Sequence, residues 1–247
     1  MPSIIFGLHA VHSLLKHQPE SVIALHYDRK RQDRRLLELL ELAAAQEVEC
    51  IAANRDELNR MAEDGNHQGV VARASEASSH PALEELLDAL QEPPFLLILD
   101  GVTDPHNLGA CLRTADAAGV HAVIYPKDKS AGINSTVRKV ACGAAETMPV
   151  YAVTNLARSM EELRERGIWI TGTAGEATQL IHESDLCGPL ALVMGAEGKG
   201  LRRLTREHCD FLAKIPMAGS VSSLNVSVAT GICLFEAVRQ RGSHQVT

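Results

Sequence analysis

The chain of 247 residues is 45% hydrophobic and 22% charged, which is typical of a globular protein and excludes an intrinsically disordered one. No apolar run approaches the ~20 residues of a transmembrane helix, and the N-terminus lacks a signal-peptide pattern, so we expect a cytoplasmic protein with no membrane partner. The net charge of −7 argues on average against nucleic-acid binding, because phosphate contacts need clustered Lys and Arg.

Cysteines and basic residues give separate indications about ligands. The six cysteines are scattered without a CxxC pair, which favours buried, reduced thiols over disulfides or a zinc site, so we expect no metal. Basic residues cluster locally despite the acidic average. The densest cluster comprises Arg29, Lys30, Arg31, Arg34 and Arg35, and a second comprises Arg202, Arg203 and Arg206. Since charge runs are usually solvated faces, each cluster alone indicates RNA contact only weakly.

The first 73 residues alternate between strand and helix patterns. An apolar stretch opens residues 4–15 and leads into a helix, while residues 22–27, 48–52 and 68–73 are typical of strands. One face of a helix is formed by Leu36, Leu39, Leu40, Ala43 and Ala44. Asn54 and Glu57 have the spacing of a capping box at the start of a further helix. Residues 1–73 are therefore predicted to form a small α/β domain.

Residues 74–94 are predicted to link this domain to a second one. Residues 74–81 are rich in Ser and Ala and show no periodicity. A short helix follows, with Leu83, Leu86, Leu87 and Leu90 on one stripe. Pro93 and Pro94 end it, because proline cannot continue a helix.

Residues 95–242 are predicted to form a parallel sheet with helices on both faces. Residues 95–99 are a continuous apolar run, as expected of a strand that is covered on both sides. Similar runs recur at residues 122–125, 149–153, 168–171, 190–194 and 211–215. Helical patterns lie between them, such as Leu156, Met160 and Leu163. Ligands of such sheets bind at the carboxyl ends of strands, so the loops that follow the strands should form the site.

Three of these loops, residues 100–109, 195–201 and 215–227, are rich in polar residues and glycine. Each has a structural explanation: Asn107 can cap the next helix, Gly195, Gly198 and Gly200 suit a tight turn, and the serines suit turns and caps. Their placement after three strands of one sheet favours a shared site instead. Neither a Walker A motif nor GxGxxG is present, which disfavours a P-loop enzyme and an ordinary nicotinamide enzyme.

The three loops resemble the motifs of the SpoU/TrmH branch of the SPOUT RNA methyltransferases. DxxxDPxNxGxxxRTA matches residues 100–115, MGAEG matches residues 194–198, and the third motif matches residues 215–227, in the family's order and spacing. This resemblance covers residues 95–241. Residues 6–11 and 67–69 are similar to the family's small substrate-binding domain, which is akin to ribosomal-protein RNA binders.

The resemblance implies a methyl transfer from S-adenosylmethionine to a guanosine ribose 2′-oxygen of 23S, large-subunit ribosomal RNA. It also implies a homodimer and a SPOUT domain with a C-terminal trefoil knot. The catalytic residues that it implies are Arg113, Asn107, Glu197, Ser223 and Asn225. For the cofactor it implies Gly195, Ile215 and Leu224, and we add Thr171, Gly172 and Thr173, which come where the predicted strand of residues 168–171 ends and the following loop begins. For RNA we select the densest basic cluster, Arg29, Lys30, Arg31, Arg34 and Arg35.

The role of Arg113 needs a physical argument. The resemblance places it at the ribose hydroxyl, where the family hypothesis makes it the general base. A guanidinium with a pKa above ~12 almost never loses its proton. A less demanding role is to steer the adjacent phosphate and to stabilise the developing alkoxide.

The last predicted helix is apolar on two sides. One side comprises Val226, Ala229, Thr230, Cys233 and Ala237, and the other comprises Val228, Ile232 and Phe235. Such a helix should be buried on both sides, against the sheet and against a partner subunit. A central helix of a monomer is the alternative.

Other functions stay open at this point. The chain is alternatively a transfer-RNA 2′-O-ribose methyltransferase, a non-catalytic RNA-binding ribosome assembly factor, or a small-molecule α/β enzyme that suits the acidic charge. The complete set of motif residues argues against a non-catalytic protein, and the N-terminal domain favours ribosomal over transfer RNA.

Overall fold

The alternating patterns of the sequence form the expected α/β elements. The computed structural model describes residues 3–63, 65–75, 80–196, 198 and 200–244. Up to residue 91 the elements are β1 (Ser3–Phe6), α1 (Leu8–His17), β2 (Val22–Asp28), α2 (Arg34–Ala45), β3 (Cys50–Ala53), α3 (Arg55–Met61), β4 (Val70–Ala74) and α4 (Leu83–Ala89). From residue 95 they are β5 (Phe95–Asp100), α5 (Pro105–Ala117), β6 (Ala122–Pro126), α6 (Ser135–Ala141), α7 (Ala144–Thr147), β7 (Val150–Val153), α8 (Leu156–Glu165), β8 (Trp169–Thr173), β9 (Gln179–Leu180), β10 (Leu190–Gly195), α9 (Arg203–Glu207), β11 (Phe211–Lys214) and α10 (Val226–His244).

The chain divides into two units that are not contiguous in sequence. The first comprises Met1–Pro81 and Ile133–Thr147, and the second comprises Ala82–Gly132 and Met148–Thr247. This differs from the contiguous division at residues 73 and 94, because α6 packs on β1 and α7 packs on α1 within the first unit. Periodicity reports which face of a helix is buried and not which element covers it, so the sequence pattern does not reveal this packing.

The first unit is the predicted small α/β fold. In its sheet β4 lies between β1 and β2 and is antiparallel to both, while β3 pairs in parallel with β2. Its core includes Leu14 and Leu15 of α1 and Leu36 and Leu39 of α2. The predicted capping box of α3 is confirmed.

Two boundaries in the first unit differ from prediction. β4 begins at Val70 and not at Gln68, because Gln68 and Gly69 have φ values of 51° and 76°, which no strand residue adopts. β3 begins at Cys50, two residues later than the predicted strand. Of the predicted linker, residues 76–79 lie outside the described residues.

The second unit contains a seven-stranded parallel sheet in the order β7-β6-β5-β10-β8-β11-β9. All residues of β5 are buried, which confirms the prediction of a covered parallel strand. Leu156, Met160 and Leu163 of α8 belong to the same core as β5. The short strand β9 was not predicted, since two residues carry no periodicity.

Helix α10 has one buried and one exposed apolar face in the single chain. Thr230, Cys233 and Ala237 are fully buried, as predicted for the first face, and α10 packs against α5 and β10. Val228, Ile232 and Phe235 are 51%, 40% and 48% exposed. Across the described ranges, no helix combines the length and apolar character that are needed to cross a membrane.

Candidate functional site

Two adjoining clefts lie at the carboxyl ends of the parallel strands. The β10–β11 cleft, of about 480 Å³, is lined by residues 173–176, 194–196, 198, 200, 213–215, 217, 222–224, 226 and 229. The β5–β10 cleft, also about 480 Å³, is lined by residues 100–104, 107, 129, 196, 200–202 and 226. They share Ala196, Gly200 and Val226. Both volumes lie within the range of small-molecule sites.

The wall between the clefts is backbone in close contact. A Cβ atom on Gly195 would lie 2.3 Å from the carbonyl carbon of Gly200 and 2.5 Å from the amide nitrogen of Leu201. The turn is closed by an N–H of Gly200 that donates to the carbonyl oxygen of Ala196 at 2.9 Å. Gly198 and Gly200 have φ values of 73° and 65°, which favour glycine. Only glycine at position 195 permits this approach, so peptide groups form this wall.

The first turn of α5 differs from its predicted capping. Asp104 is the cap, because its Oδ1 accepts the N–H of His106 at 3.0 Å and Pro105 is the first helical residue. The expectation that Asn107 caps this helix is therefore wrong. Asn107 lies within the first turn, is 9% exposed, and lines the β5–β10 cleft.

A side-chain network joins the first turn of α5 to the start of α10. The Asn225 Nδ2 donates to the Asn107 Oδ1 at 2.9 Å. The Asn225 Oδ1 accepts the backbone N–H of Ser227 at 2.9 Å and the Ser227 hydroxyl at 2.6 Å. The starts of two helices thus meet beside the clefts. Their backbone dipoles favour negative charge at that place.

Asp100 is a structural residue of the site and was not among the expected catalytic or binding residues. Its carboxylate is fully buried at the end of β5. It accepts the backbone N–H of Arg202 at 2.8 Å and forms an ion pair with the Arg202 guanidinium. Because a buried charge is tolerated only when it is paired, this contact holds the β10 turn against the end of β5. An acid at the end of an otherwise apolar strand was the sequence feature that could have identified it.

Most of the expected cofactor residues line one cleft. Gly195, Ile215, Leu224 and Thr173 line the β10–β11 cleft, together with Ser223. Thr171 and Gly172 lie within β8, where Thr171 is 1% exposed. A Cβ on Gly172 would lie 2.6 Å from the Cys209 Sγ, so that position belongs to the packed interior.

The clefts do not account for every expected catalytic residue. Arg113 is an exposed residue of α5 and is not among the described residues that line either cleft. Glu197 lies outside the described residues.

The densest basic cluster lies in the first unit, at the end of β2 and the start of α2. Arg29, Lys30, Arg34 and Arg35 are exposed. Arg31 is half-buried and forms an ion pair with Asp33. Arg34 also forms an ion pair, with Glu38 at 2.7 Å. In the second cluster all three cations are paired with acids, since Arg202, Arg203 and Arg206 contact Asp100, Glu207 and Glu176.

The prediction of buried cysteines holds for some of the six and not for others. Cys111 and Cys233 are buried, whereas Cys50 and Cys142 are exposed. Burial raises the pKa of the Cys111 thiol to about 11 and that of Cys233 to about 12, so both stay neutral. Within the part of the chain that the structure describes, no group of three or more His, Cys, Asp or Glu residues is placed to hold a metal ion.

Two family models match the chain. Residues 94–235 match the SpoU rRNA Methylase family. Residues 4–80 match the model for RNA 2′-O ribose methyltransferase substrate binding.

Curated relatives match nearly the whole chain. The 23S rRNA (guanosine-2′-O-)-methyltransferase RlmB of Pectobacterium atrosepticum is 62% identical over 244 residues, which cover 98% of this chain and 100% of the relative. The protein of the same name from Escherichia coli K12 is 59% identical over 243 residues, with the same shares of both chains.

Solved structures share the fold over the same length. The SpoU methyltransferase AviRb from Streptomyces viridochromogenes, in complex with AdoMet, has a TM-score of 0.81 at 29% identity and covers 97% of this chain and 90% of its own. The AdoMet-bound rRNA methyltransferase from Sinorhizobium meliloti has a TM-score of 0.78 at 28% identity and covers 96% of this chain and 87% of its own.

Proposed function

This chain belongs to the SpoU rRNA methylase family, and from that premise we propose that it methylates a guanosine ribose 2′-oxygen in 23S ribosomal RNA with S-adenosylmethionine. The observation that carries the proposal is full-length identity of about 60% to enzymes named for this reaction. The geometry supports it, because the three motif loops meet around two clefts at one edge of the sheet.

The β10–β11 cleft fits S-adenosylmethionine. Its volume suits a ligand of that size, and Gly195, Ile215 and Leu224 are among the residues that line it. We assign their peptide N–H and C=O groups to an adenine edge, which they can pair with without any charged side chain. The cofactor supplies a methyl group already activated by its sulfonium, so the protein has to bind it and align it with the ribose oxygen.

The protein's own groups act mainly on the ribose and its phosphate. A ribose hydroxyl is a weak acid, and its oxygen becomes nucleophilic as its proton is accepted or polarised. We assign Arg113 to the phosphate and the developing alkoxide, where a fixed positive charge stabilises the transition state. Asn107 and Asn225 hold the two helix starts in place through their hydrogen bond. Ser223 and Glu197 complete the proposed catalytic set.

The first unit supplies affinity for RNA in this proposal. The exposed cations Arg29, Lys30, Arg34 and Arg35, with Arg31, form a local positive surface in an acidic chain. By function we keep residues 1–73 as the substrate-binding domain, residues 74–94 as the linker and residues 95–242 as the methyltransferase domain with a C-terminal knot. Residues 133–147 are then a segment of the methyltransferase domain that packs within the first unit. We place the enzyme in the cytoplasm, where bacterial ribosomal RNA is made.

We propose a homodimer that forms through α10. The exposed side chains of Val228, Ile232 and Phe235 lie on one apolar face of a helix whose other face is already buried. Arg113 lies on α5, which packs against α10, and it is not among the described lining residues of the β5–β10 or the β10–β11 cleft. In the dimer, we expect Arg113 to serve the cleft of the second copy.

Methyl transfer by the purified enzyme tests the proposed function. We expect 2′-O-methylguanosine at one position of transcribed 23S rRNA, located by mass spectrometry of nuclease fragments, and no transfer to total tRNA. Transfer to tRNA alone would assign the chain to the other substrate. Cofactor binding without transfer to either RNA would indicate an assembly factor.

Mixed dimers test whether the two copies share a site. A mixed dimer carries Arg113→Ala in one copy and Gly195→Ala in the other, and it is assayed at an S-adenosylmethionine concentration far below saturation. Under that condition each substitution alone is expected to leave little methyl transfer, because the first lowers turnover and the second weakens cofactor binding. If Arg113 acts on the partner's cleft, one site of the mixed dimer contains both intact residues, and methyl transfer returns. If the mixed dimers stay inactive, Arg113 acts within its own chain or not at all.

A further inference from the structure

The first unit contains a polar cleft next to the turn that precedes β4. Its volume is about 500 Å³, and its described lining residues are all charged, polar or glycine. The residues that matter here are Lys30, Arg31, Arg55, Asn59, Asn66 and Gln68. A lining of this kind differs from the mostly apolar walls of small-molecule sites, and it suits a polar, charged ligand.

The turn above this cleft is held in a strained conformation by specific contacts. Gln68 is not glycine, yet its φ is 51°, a conformation that such residues rarely adopt. Its Oε1 accepts the N–H of Leu8 at 3.1 Å. The Arg31 side chain lies against Gly69, because a Cβ atom added to Gly69 would be 3.0 Å from the Arg31 Cδ. The Arg31 guanidinium also donates to the carbonyl oxygen of Gln68. Such strain persists only where surrounding contacts fix it, and it is frequent at binding sites.

His67 braces the turn as a neutral side chain. Its Nδ1 accepts the N–H of Gly69 at 2.9 Å, so the proton is on Nε2, which donates to the Asn59 Oδ1 at 2.9 Å. Burial, with Arg55 nearby, lowers the pKa of His67 and keeps the ring uncharged. The Oδ1 of Asn59 is thereby used, and the NH₂ group of its amide remains as a donor for the cleft.

The charges and amides of the cleft match the two parts of a nucleotide. The lining contains three cations, Lys30, Arg31 and Arg55, and one acid, Asp28. Because Arg31 is paired with Asp33, Lys30 and Arg55 are the cations that we assign to a ligand. Cationic side chains bind phosphate oxygens, whereas carboxamides such as those of Asn66 and Gln68 pair with the edges of unstacked bases. Arg55 is not part of the densest basic cluster, because β3 and most of α2 separate it from that cluster in the sequence.

We propose that this cleft binds one unstacked nucleotide of the ribosomal RNA substrate, with its phosphate on Lys30 and Arg55 and its base edge on Asn66 and Gln68. The inference rests on the proposed function for the identity of the RNA. It assigns the first unit a defined nucleotide subsite in addition to a general positive surface.

The test compares Arg55→Ala and Asn66→Ala with Arg60→Ala. Arg60 is a matched control because it is an exposed cation on the same helix, α3, that is not among the described lining residues. The readouts are filter binding of transcribed 23S rRNA between about 50 and about 200 mM salt, and initial methylation rates. Unchanged melting temperatures establish that the variants are folded, and Arg55→Gln replaces Arg55→Ala if that variant is unstable.

Each substitution has a different expected result. Arg55→Ala should weaken RNA binding about tenfold and lower the salt slope by about 0.7, the value for one phosphate of a single strand. Asn66→Ala should weaken binding about threefold with an unchanged slope, because an amide–base contact releases no counterion. Both should raise the KM for RNA and leave kcat and the KM for S-adenosylmethionine unchanged. Arg60→Ala should bind like the wild type.

Two results would overturn the proposal. If Arg55→Ala binds RNA as tightly as Arg60→Ala, Arg55 makes no phosphate contact. If Asn66→Ala binds RNA like the wild type, Asn66 makes no base contact. The proposed function fails separately, if the wild type transfers no methyl group to 23S rRNA. The binding assay does not depend on transfer, so it still tests the cleft in that case.

Discussion

Replacing Gly195 with alanine tests whether backbone forms the cofactor wall. The new Cβ would meet the backbone of Gly200 and Leu201 at 2.3 to 2.6 Å. Ordinary carbon contacts are about 3.5 Å or longer, so the end of β10 and the following turn must separate by about 1 Å. Backbone cannot rotate away as a side chain can, and this movement displaces the wall that lines the β10–β11 cleft.

The size of the effect follows from the overlap. Inserting one methyl group into a well-packed region costs about 1 to 3 kcal/mol, and the cost here falls on the turn at residues 195–200. If this strain distorts peptide groups that bind the cofactor, affinity falls by about ten- to a hundredfold, since about 1.4 kcal/mol is a tenfold change. The melting temperature should also fall, and saturating S-adenosylmethionine should restore less of it than in the wild type.

Titration calorimetry with S-adenosylmethionine is the assay, and Gly219→Ala is the matched control. Gly219 lies in the loop after β11, has an ordinary φ, and has nothing within 4 Å of an added Cβ. We expect Gly219→Ala to bind the cofactor like the wild type. If Gly195→Ala also binds with wild-type affinity while folded, the backbone wall has no part in cofactor binding, and the assignment of this cleft is refuted.

Three further substitutions address catalysis, assembly and pH. Arg113→Ala should lower turnover at least ~100-fold in single-turnover assays and keep cofactor affinity within about tenfold; full turnover would remove it from the mechanism. Ile232→Asp should convert the dimer to a folded monomer in sedimentation, and an unchanged mass would place the interface elsewhere. Burial raises the pKa of Glu146, a residue of α7, from 4.5 to about 7. Between pH 4.5 and about 7 the folded state therefore keeps a proton that the unfolded chain releases, so the free energy of unfolding falls as the pH rises through this range. Glu146→Gln should make the melting temperature depend less on pH in this range than it does in the wild type. Equal pH dependence in the two proteins would contradict the raised pKa.

The sequence was sufficient to predict the edge of the sheet at which the site lies. Continuous apolar runs identified buried parallel strands, and the motif residues that follow them had to meet at one edge. Gly195, Ile215, Ser223 and Leu224 are together in the β10–β11 cleft for this reason. Such predictions succeed because strand direction alone determines where the next residue emerges.

Contacts between distant segments were not predictable in the same way. The Asp100–Arg202 pair joins residues 102 positions apart, and neither residue has a local pattern that identifies the other as its partner. The placement of residues 133–147 in the first unit has the same origin. Asn107 was misassigned as a cap because Asp104, three residues earlier, fits that position as well, and Pro105 decides between them by starting the helix.

The sites that we propose for RNA and for the cofactor rest on different kinds of group, so they should respond differently to mutation. We assign the cofactor to the β10–β11 cleft, where Gly195 meets Gly200 and Leu201 through backbone, so single side-chain truncations around it should alter affinity little unless they move the chain, as at Gly195. The polar cleft of the first unit acts through exposed side chains such as Lys30 and Arg55, whose removal moves no backbone. Substitutions in the first unit should therefore change the KM for RNA without changing the dissociation constant of S-adenosylmethionine, and backbone changes near Gly195 should do the reverse. A first-unit substitution that altered both constants together would mean that RNA and cofactor binding are coupled, and separate sites with independent chemistry would no longer explain the enzyme.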